Sequence, residues 1–191
     1  MSDLAQYRFD DLYEISSGIS TTKEQAGHGS PFVSFSTIYN NYYLPDELPD
    51  LMETSEAEQI KYSVQEADVF VTRTSETLDE LAMSCVSLND YPEATFSGFA
   101  KRLRPKYPSF PDPTYIAFYL RGPHFRKMID NMAIMTTRAS FNETLFSFLK
   151  LSLPNKETQQ RVGALLLAIQ EKMGINNQVN DNLVDSLAIV A

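Results

Sequence analysis

Residues 151–191 read LSLPNKETQQRVGALLLAIQEKMGINNQVNDNLVDSLAIVA, and this stretch decides the architecture. Asn155, just past Pro154, is a residue type that caps helix N-termini, and from Lys156 to Ala191 there are 36 residues without proline. An unbroken helix of that length spans about 54 Å at about 1.5 Å per residue, more than one small domain covers. Its 4,3-spaced positions are Val162, Leu166, Ile169, Met173, Asn176, Asn180, Leu183 and Leu187, a coiled-coil seam with a polar middle. Seam asparagines lower stability but fix register and orientation, because an asparagine facing an apolar side chain leaves its amide unpaired. Residues 154–191 therefore read as a dimerisation or spacer helix, against the alternative of an amphipathic helix folded back on its own domain. Gly163 and Gly174 count against the first reading, each costing about 1 kcal/mol of helix propensity.

Residues 1–153 read as one α+β domain. Leu4, Tyr7, Phe9, Leu12 and Ile15 have helical spacing and predict a helix from Asp3 to Ile15, ended by Ser16-Ser17-Gly18. Phe32 to Ile38 (FVSFSTI) and Asp68 to Arg73 (DVFVTR) are β-branched and aromatic and predict strands. Asn40 to Glu58, with Pro45 and Pro49, reads as a long acidic irregular segment. Thr95 to Leu103 (TFSGFAKRL) predicts a strand with a bulge or a close backbone approach at Gly98. Thr114 to Ile134 reads as two helices broken at Gly122-Pro123.

Composition excludes several classes. The longest apolar run, Leu165 to Ile169, is far below the roughly 18 residues of a membrane span. The N-terminus lacks a basic region followed by an apolar stretch, so the chain reads as cytoplasmic with no membrane partner. One cysteine and two histidines make neither a disulfide framework nor a structural zinc site, and no metal site is expected. The net charge of −9 disfavours a nucleic-acid partner as a sum, but its distribution does not. From Asp46 to Glu80, eleven acidic residues face only Lys61 and Arg73, whereas from Lys101 to Arg138 eight basic residues face only Asp112 and Asp130. That basic third reads either as a phosphate-binding face or as an ordinary solvated surface.

Catalytic patterns are missing. The chain contains no glycine-rich phosphate loop, no G-x-G-x-x-G and no Asp/Asn-Pro-Pro-Tyr/Phe tetrad of an amino-methyltransferase. Pro45-Asp46 and Pro111-Asp112 lack the Glu-x-Lys or Asp-x-Lys partner of a metal nuclease, and His28 and His124 sit in loop-like contexts and read as surface residues.

Particular residues carry a resemblance. Asp68 to Thr77 (DVFVTRTSET), Ala94 to Phe99 with Arg102-Leu103-Arg104-Pro105, and Phe32 to Ser36 with Tyr39-Asn40-Asn41 resemble the target-recognition domain of type I restriction-modification DNA specificity subunits. Leu151-Ser152-Leu153-Pro154 with Gln159 or Gln160, then Val162, the Leu165 to Ile169 run and Ile175-Asn176-Asn177, resembles the opening of the long helix of those subunits. Such subunits usually carry two domain-plus-helix units, one per half of a bipartite DNA target, with antiparallel helices as spacer; this chain carries one. The resemblance therefore implies a half-subunit that pairs through its helix with an identical or a different half. It also implies a non-catalytic chain, whose partners are double-stranded DNA, an adenine methyltransferase subunit using S-adenosylmethionine, and an endonuclease/translocase subunit using ATP and Mg2+.

The candidate DNA face follows the same segments. Asn40 and Asn41 suit bidentate contacts to adenine, Arg73 to guanine, and Glu76 suits cytosine N4 or the orientation of Arg73. Ser34, Ser36, Thr74, Ser75, Thr77 and Ser97 suit phosphates or base edges. Lys101, Arg102, Arg104, Lys106 and Arg138 suit phosphates, which require only charge and reach. Each has an ordinary alternative: Arg73 and Glu76 as a surface ion pair, Asn40-Asn41 as a turn. Tyr42, Tyr43, Phe96 and Phe99 read as core. The rival to DNA recognition is a coiled-coil adaptor that docks protein through the acidic segment 46–80; a carboxylate-metal nuclease is a more distant one.

Overall fold

The helical spacing of the N-terminus yields only one turn. Ala5–Arg8 is strand β1, Phe9–Leu12 the short helix α1, and Tyr13–Ser17 strand β2. Long-range pairing overrides the local pattern here, since β1 and β2 each find an antiparallel partner far along the chain. The computed structural model describes residues 4–73, 80–134 and 147–190. After a 3-10 turn at Lys23–Gln25 come β3 (Ala26–Val33), α2 (Phe35–Asn40), β4 (Asp50–Met52), α3 (Glu56–Lys61), β5 (Val69–Thr72), β6 (Ser84–Val86), β7 (Thr95–Phe96) and β8 (Ala100–Pro105). The chain closes with α4 (Pro113–Tyr119), α5 (Pro123–Ile134), β9 (Lys150–Leu153) and α6 (Lys156–Val190).

Three expectations are corrected by these elements. FVSFSTI is a strand only to Val33; Ser34 then caps α2, its side chain accepting from the Thr37 N–H. The acidic segment holds β4 and opens α3, whose Ser55-to-Glu58 capping box satisfies two backbone donors. TFSGFAKRL is two strands of different sheets, with Gly98 at the crossing. An added Cβ there would stand 2.9 Å from the Ile19 carbonyl oxygen, so the close approach expected at Gly98 is present.

The four-stranded sheet has the order β2-β8-β5-β6 and is antiparallel throughout. A second sheet runs β4-β3-β7, with β3 and β7 parallel, and β1 pairs with β9. All four residues of β5 are buried, which explains a strand without polar alternation. Its two faces serve different cores. Val69 and Val71 pack with Leu103, Leu12, Ile116, Leu120, Phe125 and Leu151, while Phe70 packs with Val33, Ile38, Cys85 and Phe96.

Helix α6 starts where the sequence places it. The Asn155 carboxamide accepts from the Thr158 N–H at 2.9 Å. Gln159 is fully buried: its Nε2 donates to the Pro154 carbonyl at 2.8 Å and its Oε1 accepts from the Asp112 N–H at 3.0 Å. Asp112 in turn caps α4 through the Tyr115 N–H. One turn on, a Cβ at Gly163 would stand 2.8 Å from the Tyr115 nitrogen, so the glycine that costs propensity lets α6 press against the start of α4. Beyond Gln170 the helix turns outward to solvent. Every residue from Glu171 to Leu183 is exposed, including Met173 at 54% and Leu183 at 58%.

Replacing Gln159 by alanine orphans the Asp112 N–H and the Pro154 carbonyl in a buried joint. The expected loss is about 1–3 kcal/mol of unfolding free energy, measured by chemical denaturation.

Candidate nucleic-acid interface

Most of the basic third faces inward. Lys101 is 6% exposed and its Nζ donates to Ser17 Oγ at 2.8 Å. Arg102 is 8% exposed; it donates to the Ser63 carbonyl and lies 5.3 Å from the centre of the Phe96 ring. Burial pulls its pKa down. Arg104 grips Asp68 with two parallel hydrogen bonds, Nε to Oδ1 at 2.8 Å and Nη2 to Oδ2 at 2.7 Å, and Asp68 has no solvent exposure. Those bonds raise the Arg104 pKa further. Lys101, Arg102 and Arg104 are therefore corrected from phosphate contacts to internal fasteners of the sheet.

Two further arginines of this third are also bound to backbone carbonyls. Arg121 donates to the carbonyls of Ile38, Tyr39 and Asn41 at the end of α2 and to the Ser84 carbonyl, and it stacks on Tyr42. Its many donors suit a helix end whose carbonyls have no partner of their own. Arg126 donates to the Leu81 carbonyl, and the exposed Lys106 reaches back to the Asp10 carbonyl. Arg138, with Thr74, Ser75, Glu76 and Thr77, lies outside the described residues.

The α2 residues do not join Arg73. Ser34 is the N-cap of the helix, and Asn41 donates through Nδ2 to the Thr37 carbonyl at 2.9 Å. Ser36 and Asn40 are exposed and bond each other at 3.1 Å. Ser34 lines a depression with Phe32 and Pro49 to Met52, apart from the cleft that holds Arg73.

That cleft, of about 350 Å³, is lined by Ile19, Ser20, Thr21, Arg73, Ser97, Gly98 and Phe99. Close backbone contacts build its floor: the Ile19 N–H donates to the Phe96 carbonyl at 2.9 Å and the Gly98 N–H to the Ile19 carbonyl at 2.7 Å. Gly18 permits this approach, since its Cβ would fall 2.2 Å from the Ser97 carbonyl oxygen. Ser97 is nearly buried and its hydroxyl accepts from the Phe99 N–H, so it shapes the turn. Arg73 is exposed, and its guanidinium has no hydrogen-bond or ring partner among the described residues. No carboxylate lines the cleft among the described residues, on a chain of net charge −9.

Phe99 is corrected from core to surface: it is 66% exposed. Ile19, Ser20, Thr21 and Phe99 are the lining residues that the sequence did not point to. Phe99 carried one signal, because Phe96 and Phe99 are three apart and on an unbroken strand would point to opposite faces. Burial pushes the Cys85 thiol up to about 12, the state of an inert packing group. Among the described residues no group of three or more His, Cys, Asp or Glu is placed to hold a metal, and no helix is long and apolar enough to cross a membrane.

Comparison with known proteins gives the class. A family model described as the type I restriction modification DNA specificity domain matches residues 1–184, and the chain belongs to that family. No curated protein sequence gives a significant match. Among solved structures, the fold is similar to the type I restriction-modification S subunit from M. genitalium (TM-score 0.62, 11% identity, 91% of this chain and 40% of that one). It is also similar to the HsdS subunit from Thermoanaerobacter tengcongensis (TM-score 0.59, 14% identity, 90% and 38%). A chain from a study of complex assembly and conformational transition of the type I R-M system is similar too (TM-score 0.61, 17% identity, 90% and 39%). This chain spans about two fifths of the length of those structures.

Arg104 and Arg73 should separate sharply in stability. Arg104→Ala leaves a buried carboxylate without its partner and is expected to cost about 3–5 kcal/mol. Arg73→Ala, at an exposed site with no partner among the described residues, is expected to stay within about 0.5 kcal/mol. Urea denaturation of both variants checks the pair.

Proposed function

We propose that this chain recognises one half of a bipartite DNA target for a type I restriction-modification complex. The observation that carries the reading is the cleft in which Arg73 stands without a partner or a lining carboxylate among the described residues, on a domain of the DNA specificity family. A guanidinium there suits the O6 and N7 of guanine in the major groove. Residues 1–153 are the recognition domain, with 154–191 as the pairing and spacer helix. Asn40, Ser36 and the segment from Thr74 to Thr77 remain candidate contacts, and Arg138 a phosphate contact. The chain itself is non-catalytic and holds no cofactor. A methyltransferase subunit with S-adenosylmethionine and an endonuclease/translocase subunit with ATP and Mg2+ supply adenine methylation and cleavage. The complex is cytoplasmic.

Pairing is supported by the exposed outer helix. Ile169, Met173, Asn176, Asn180 and Leu183 all face solvent, whereas Val162 and Leu166 are half-buried at the docked end; the Leu187 side chain lies outside the described residues. A second half-subunit covers this seam, and the two asparagines set its register. The adaptor alternative keeps one observation in its favour, the exposed acids Asp46, Glu47, Glu53, Glu56 and Glu66.

Arg73→Ala is expected to weaken the cognate duplex by about 1–3 kcal/mol and scrambled DNA much less, as read by competition binding. Equal weakening on both would make Arg73 a backbone contact. Ile169→Asp places a charge in the paired seam and is expected to give monomers by light scattering, with unchanged circular dichroism of the domain.

A further inference from the structure

Arg73 and Phe99 face each other just past the last paired residues of β5 and β8. The β5–β8 ladder aligns Val69 with Leu103, Val71 with Lys101 and Thr72 with Ala100, and the next step aligns Arg73 with Phe99. The step is made, because the Arg73 N–H donates to the Phe99 carbonyl at 2.8 Å. Residues directly opposite on an antiparallel ladder present their side chains on one face, with Cβ atoms about 4.5–5.5 Å apart. Neighbouring base pairs are about 3.4 Å apart. A pair so spaced can place its two tips on two adjacent base pairs.

The two chemistries are complementary. Arg73 offers a planar fork of donors with no competing partner among the described residues, and Phe99 offers an exposed apolar ring beside it. In the major groove the matching features are the two acceptors of guanine and the 5-methyl group of thymine, the one apolar feature displayed there. Neither side chain needs to move a buried group to reach out. Ser20, Thr21 and Ser97 add hydroxyls to the cleft, and no negative charge lines it among the described residues.

We infer that Arg73 and Phe99 together read a guanine and a thymine at neighbouring base pairs, Arg73 on guanine O6 and N7 and Phe99 on the thymine methyl group; this rests on the DNA-recognition reading above. Phe99 is then a specificity determinant, and the target half-site contains adjacent G and T.

The test selects duplexes from a randomised library with the full chain, alone and with its methyltransferase subunit, and then replaces each thymine of the selected site by deoxyuracil. The expected result is a site with neighbouring G and T, in which loss of one methyl group weakens wild-type binding about fourfold, the equivalent of one buried methylene. Phe99→Ala should bind the thymine and deoxyuracil duplexes equally, and its melting temperature should match the wild type because the ring is exposed. If wild-type binding is indifferent to deoxyuracil at every thymine, the inference fails while DNA recognition stands, and Phe99 belongs to another contact. If no sequence is enriched with or without the methyltransferase subunit, the DNA-recognition reading itself fails and takes the inference with it.

Discussion

The buried carboxylate of Asp68 is the constraint on which the rest of the domain depends. It stands without solvent at the start of β5, opposite Arg104 on β8, and accepts the Gln65 N–H as well as both bonds from the guanidinium. An ion in that position is tolerable only when its lone pairs are filled. Any slip of the β5–β8 register would separate the two charges and turn every side chain of β5 to the wrong core. The pair therefore holds one alignment of the two central strands. The same alignment, five residues on, sets Phe99 opposite Arg73.

Much of the positive charge between Lys101 and Arg126 is consumed by internal partners. Lys101, Arg102, Arg104, Arg121 and Arg126 saturate hydroxyls, carbonyls and one carboxylate that loops and helix ends leave open. This resolves the conflict between a basic third and an acidic total. Arg73, by contrast, is exposed in a cleft that no carboxylate lines among the described residues.

The joint between α4 and α6 ties the long helix to the domain. Gln159 bridges the Pro154 carbonyl and the Asp112 N–H, and Gly163 removes the one Cβ that would hold the helices apart. The direction in which the outer helix leaves the domain is thereby set by buried hydrogen bonds and not by a flexible linker.

The sequence by itself determined the long helix, its start at Asn155, the break at Gly122-Pro123, the strand around Phe70 and the close approach at Gly98. These depend on caps, proline, glycine and apolar runs, whose effects are local. It also carried the family resemblance, through the order of weak motifs. Only the tertiary structure decided which polar residues are available. Arg73 and Arg104 look alike in sequence, each following a β-branched or apolar run, yet one is exposed without a partner among the described residues and the other clasps a buried aspartate 36 positions away. Phe96 and Phe99 likewise differ by a single crossing of the backbone at Gly98. Burial and pairing across distant strands are sums over the whole chain, and no local spacing encodes them.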